Sequence, residues 1–212
     1  MFLFHELNGL IRVVGSRGLD FFVVVVYSLV DLVFDAVEEA EDRNQTSHWK
    51  PPPPGWLKCN LGISRGQRNM ISGAAWVLRD EFGRVLIHSR KAHMGFLVKD
   101  EADMHGFLWS VQSMISHKVT KIIFAFESDA LVGVILRPKA WPSFAHQQAE
   151  MLLQLATIQD WRVQLEKPSE NRRASLIAQS VPDYALLQSY VATGFPLWLH
   201  ELFEHERLSS SF

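Results

Sequence analysis

Four consecutive prolines, Pro51 to Pro54, followed by Gly55, constrain this chain more than any other stretch of its sequence. Each proline holds φ near −65° and lacks a backbone donor, so the segment from Asn44 to Gly55 can neither continue a helix nor sit at the centre of a sheet. It reads as a stiff extended linker, with a ligand for an aromatic-groove module as the alternative. In both readings a boundary falls near Gly55. The chain then divides into an N-terminal segment (1–55), a main domain (56–182) and a C-terminal extension (183–212) predicted to be helical and broken around Gly194 and Pro196.

Before the prolines, Phe21 to Val30 is a ten-residue run without a charge, bounded by Asp20 and Asp31. A bilayer-crossing helix needs roughly 20 apolar residues, so a buried or interface-packed segment is the favoured reading, with a disordered stretch of no function next and membrane association last. Glu6 precedes any basic residue and no small-residue cleavage site follows Val30, so no secretory signal is expected. Asp31 to Arg43 has the spacing of a short acidic amphipathic helix. An intracellular protein without a membrane partner is the expectation, and the single cysteine, Cys59, excludes an internal disulfide framework.

After Gly55 the pattern becomes that of strands. Trp56–Leu61 and the strongly apolar Gly73–Arg79 are candidate strands, and Arg84–Ser89 returns antiparallel to the second after a turn at Asp80–Gly83. Asp100–Ser116 follows with apolar residues at helical spacing and acidic residues in its first turn. Val119–Phe126 is almost continuously apolar, as expected of a parallel strand covered on both faces. Helices over Ala130–Leu136 and Phe144–Ile158, a strand over Trp161–Glu166 and a helix over Asn171–Ser180 complete the order βββαβααβα. Such an order predicts an α/β domain with a mixed five-stranded sheet, three antiparallel strands and then two parallel ones, flanked by helices.

Four local sequences narrow this further. Lys58-Cys59-Asn60-Leu61-Gly62 precedes Ser72-Gly73-Ala74-Ala75-Trp76, Glu101-Ala102-Asp103-Met104-His105-Gly106-Phe107 opens the first helix, Phe126-Glu127-Ser128-Asp129 ends the central strand, and Glu170-Asn171-Arg172-Arg173-Ala174 opens a later helix. In this order they resemble the ribonuclease H-like domain of plant retroelements, associated with reverse transcriptase. The resemblance implies a ribonuclease H-like fold and, in active members, hydrolysis of the RNA strand of an RNA–DNA hybrid by two Mg²⁺ ions held by four carboxylates. One ion activates water and the other stabilises the leaving oxygen.

Carried over position by position, the resemblance leaves that carboxylate set incomplete. The first aspartate falls on Gly62 and the last on Ser175, so two positions are vacant; the helix glutamate falls on Asp103, and the aspartate of the strand-end motif is Asp129. Asp103 and Asp129 are thus the catalytic and metal-binding candidates. Glu101 lies about 200° from Asp103 around the helix and points away, while Glu127, two residues before Asp129, is expected to sit deeper on the same face. The implied function is nucleic-acid binding with impaired or absent cleavage, and Mg²⁺ held weakly if at all. The alternative is a remnant or protein-interaction domain without a nucleic-acid role.

Charge does not decide between these. Lys and Arg number 21 against 23 Asp and Glu, so any nucleic-acid surface is local. Arg65, Arg68 and Asn69, between the first two strands, together with Asn171 and Arg172, are the candidate contacts to an RNA–DNA hybrid or another nucleic acid. Arg90, Lys91 and His93 end the third strand and read either as further contacts or as solvated turn charges. The apolar stripe of Phe195, Trp198, Leu199, Leu202 and Phe203 either packs back on the domain or offers a partner surface.

Overall fold

A computed structural model describes residues 4–7, 10–13, 49–66, 70–96 and 98–209. It separates into two compact units, Met1–Thr46 and Ser47–Phe212. In the first, β1 (Phe4–Leu7) and β2 (Leu10–Val13) pair antiparallel, Phe4 opposite Val13 and Leu7 opposite Leu10. This hairpin is absent from the sequence-based expectation, although Asn8-Gly9 between the strands is the residue pair that most favours a tight turn. The Phe21–Val30 run and the expected acidic helix lie outside the described residues.

In the second unit, β3 (Leu57–Arg65), β4 (Ile71–Arg79) and β5 (Val85–Met94) form an antiparallel meander. Helix α1 (Lys99–Ser116) leads to β6 (Lys121–Phe126), which lies parallel to β3. Helices α2 (Asp129–Leu136) and α3 (Ala145–Leu155), separated by two short 3-10 turns, lead to β7 (Asp160–Leu165), parallel to β6. Helix α4 (Pro168–Tyr184) follows. All of β6 but Lys121 is buried, as the apolar run requires.

The C-terminal part departs from expectation. Tyr190–Thr193 is a strand, β8, antiparallel to β5, and only His200–Ser209 is the helix α5. The sheet therefore has six strands, in the order β7-β6-β3-β4-β5-β8, and remains a mixed α/β sheet of ribonuclease H type. Four residues are too few for periodicity to distinguish a strand from a helical turn. The open edge of β5 decides the matter: the Ser89 hydroxyl donates to the Tyr190 carbonyl at 2.5 Å, and His88 lies 2.7 Å from the Gly194 carbonyl and 3.1 Å from the Tyr190 hydroxyl.

Two cores flank the sheet. On one face Leu61, Trp76 and Phe124 pack with Phe107 and Met114 of α1, Val134 of α2 and Met151 of α3. On the other, Ala75 and Val77 meet Ala174, Ile177 and Ala178 of α4, with Leu199 and Phe203 beyond them. This second face also buries charge. Arg79, 2% exposed, is sandwiched between the rings of Trp49 and Phe203 at 4.5 and 4.8 Å. Glu206 receives it at 2.6 Å and Arg173 at 2.9 Å. Lys58 pairs with Glu166 at 2.6 Å in the same layer.

Ion pairs this deep have weak net stabilising effect, but removal of one member leaves the other charge buried and uncompensated. Glu206 faces two guanidinium groups. Substitution Glu206→Ala is expected to lower the unfolding free energy by about 3–5 kcal/mol, measured by urea denaturation.

Candidate functional site

Strand β6 ends at Phe126, one residue past its last pairing with β3 (Asn60 opposite Ala125), while β3 continues to Arg65, with the first turns of α1 and α4 on either hand. Such crevices at the carboxyl ends of parallel strands are where open α/β sheets place their ligands. Here Leu61, Ile63, Lys99, Asp103, Phe126, Glu127, Ser128, Leu131, Asn171 and Ser175 surround a cavity of about 60 Å³. That is room for about two waters.

Asp103 reaches the cavity from the second turn of α1 and is 3% exposed. Burial raises its carboxyl pKa, opposed by a hydrogen bond from Ser128 and by the Lys99 ammonium, one turn earlier and 3.3 Å away. Glu127, the first residue after β6, is solvent-exposed and turned toward α4. Its Oε1 accepts from the Ser175 hydroxyl at 2.6 Å and from Asn171 Nδ2 at 3.0 Å. Asn171 Nδ2 also donates to the Leu61 carbonyl at 2.9 Å, and its Oδ1 accepts from Asn60 at 3.1 Å. Asn60 in turn accepts from the Trp49 indole at 2.7 Å. One polar chain therefore runs from the cavity to the buried end of the linker.

The two positions left vacant by the resemblance differ in character. At Ser175 the hydroxyl is committed to Glu127. At Gly62 there is no space for a side chain: a Cβ would collide with the Ala174 carbonyl and stand 2.6 Å from the Ser175 amide nitrogen. Asp129, the first residue of α2, is exposed and does not line the cavity. The reason is local. Ser128 caps α2 by accepting the Leu131 amide at 3.3 Å, which directs residue 128 inward and sends residue 129 out. The two carboxylates brought to the cavity are thus Asp103 and Glu127.

Arg65 is the exposed last residue of β3 and Arg172 is half-exposed on the first turns of α4, while Arg68 and Asn69 lie outside the described residues. Lys99 was missed from sequence, although its i,i+4 spacing to Asp103 on a helix was a usable signal. Glu127 was placed too deep, because the strand ends at Phe126 and the chain turns immediately.

A pair of Mg²⁺ ions demands near-octahedral oxygen ligation by several carboxylates. Among the described residues no group of three or more His, Cys, Asp or Glu is disposed to hold a metal. Asp103 is engaged by a lysine and Glu127 by two neutral donors. The residues present do not fit the two-ion centre that the family resemblance implies. Among the described residues no helix is long and apolar enough to cross a membrane.

Two outcomes follow from this geometry. Gly62→Asp, which puts a carboxylate at a position the resemblance leaves vacant, is expected to destabilise the domain by about 3 kcal/mol or more, because backbone rather than a flexible side chain occupies the space; thermal denaturation reads the loss. Asp103→Asn is expected to stabilise it. The raised Asp103 pKa means that ionised Asp103 opposes folding, so the wild type matches the variant below the unfolded carboxylate pKa and falls behind as pH rises through the raised folded value. Paired melts between pH 3 and pH 8 check the sign.

Solved structures agree with the architecture. Ribonuclease H1 from the halophilic archaeon Halobacterium salinarum superposes with a TM-score of 0.55 at 14% identity, covering 61% of this chain and 99% of that one. LC11-RNase H1, isolated from compost by a metagenomic approach, gives 0.54 at 14% identity over 62% and 98%. A structure of the same enzyme in complex with an RNA/DNA hybrid gives 0.52 at 14% identity over 61% and 99%. No curated protein matches the sequence. The reverse transcriptase-like family model matches residues 62–181, more than half of the chain and the whole stretch from Gly62 through Val181 of α4. On that match and its ribonuclease H-like fold, this chain belongs to the reverse transcriptase-like family.

Proposed function

We propose that this protein is a ribonuclease H-like nucleic-acid-binding domain, of the kind carried by plant retroelements, in which hydrolysis of RNA–DNA hybrids is impaired or lost. One observation carries the reading. The crevice where the fold places ligands retains two carboxylates, Asp103 and Glu127, each engaged by protein groups, and at Gly62 the backbone of α4 occupies the space a third would need. Metal-assisted charge stabilisation is worth several kcal/mol and each 1.36 kcal/mol is a factor of ten, so loss of the ligand set removes many orders of magnitude in rate. Mg²⁺ is accordingly a family cofactor that this chain holds weakly, if at all. The binding role rests on the four ordered motifs and on Arg65 and Arg172, both at the surface.

A second reading, a remnant or protein-interaction domain without nucleic-acid function, is favoured by the smallness of the cavity, about 60 Å³. One assay separates the two. A labelled RNA–DNA hybrid is expected to bind at low salt, with affinity falling as salt rises, and to remain uncleaved with Mg²⁺ or Mn²⁺. Metal-dependent cleavage abolished by Asp103→Asn would refute impairment, and no binding at low salt would favour the second reading.

A further inference from the structure

Strand β8 covers β5 only from Ile87 to Arg90. The distal half of β5, Lys91 to Met94, pairs with β4 alone among the described residues and leaves one edge open. Against this end, side chains from β5, from the connection after it and from α1 build a ladder of rings. His105, exposed on α1, packs on Phe96 with centroids 4.7 Å apart and planes tilted by 32°. Phe96 backs onto His93 at 5.7 Å, and His93 meets Trp109 at 6.3 Å. The Lys91 ammonium lies 6.0 Å from the Trp109 ring.

Resting on the nucleic-acid reading above, we propose that the His105–Phe96 face is a stacking platform for unpaired bases of a single-stranded nucleic acid, whose phosphates lie beside Lys91. Every base has a π-face, and an exposed ring held by a ring behind it accepts one without the cost of ordering a loose side chain. His93, whose pKa is pushed down to about 4 chiefly by burial, is neutral at pH 7 and serves as packing inside the ladder. In a duplex the bases are already stacked on one another, so this surface discriminates in favour of single strands. Glu101, exposed and one helical turn before His105, sets the limit of the platform, since a phosphate over it is repelled.

The test uses the full chain and fluorescence anisotropy at low salt with three labelled probes: a 12-mer of oligo(U), a 12-mer of oligo(dT) and an RNA–DNA hybrid of equal length. Phe96→Ala and His105→Ala are each expected to weaken single-strand binding about tenfold while changing hybrid binding less than twofold, and Glu101→Gln to strengthen single-strand binding. Phe96→Leu, which retains apolar volume but removes the π-face, is expected to reproduce the loss even where the alanine variant folds poorly. Tighter binding of oligo(U) assigns the ligand as RNA and the reverse as DNA, the platform standing in both cases. Unchanged single-strand affinity in both Phe96→Leu and His105→Ala overturns the platform, while persistent hybrid binding leaves the broader reading intact. Failure of all three probes to bind overturns both.

Discussion

The close approach of α4 to the sheet is the contact on which the rest of the domain depends. Gly62 on β3 and Gly73 on β4 face α4 in the same layer, and a Cβ at either would strike a helix carbonyl, that of Ala174 or of Ala178. Glycine is the one residue that permits this approach. Because the helix lies so low, Asn171 reaches the Leu61 carbonyl and Asn60 as well as Glu127, so a single amide joins β3, the end of β6 and the start of α4. Position 62, where the resemblance implies a metal ligand, is here a packing contact.

The opposite end of that face depends on a segment beyond the family match. Residues 62–181 contain neither β8 nor α5, yet Phe203 and Glu206 of α5 complete the surroundings of Arg79, and β8 closes part of the β5 edge. Trp49, before the prolines, completes the other side of the Arg79 sandwich and also reaches Asn60. Both flanking segments are therefore structural parts of the domain rather than appendages. The proline run holds Trp49 in place with little conformational entropy to lose.

The candidate site shows how one turn decides which acid meets the crevice. The motif Phe126-Glu127-Ser128-Asp129 was legible as the end of a central strand followed by a helix. Which of its acids enters the crevice is decided by one cap: Ser128 turns inward to receive the Leu131 amide, Asp129 is left in solvent in the first turn of α2, and Glu127 faces Ser175. The strand end, Phe126, and the cap, Ser128, are two residues apart, a margin that periodicity does not resolve.

By itself the sequence determined the mixed α/β architecture, the order of its central elements and which residue stands at each motif position. Each of these is written in local periodicity, in proline and glycine chemistry, or in residue identity at a motif position. Tertiary structure alone decided that Tyr190–Thr193 is a strand, because an open edge rather than propensity recruits four residues. It also decided that Gly62 is closed to any side chain, that Glu127 rather than Asp129 meets the cavity, and that His93, Phe96, His105 and Trp109 form one surface. These depend on the distance between elements far apart in the chain, and no local pattern encodes that distance.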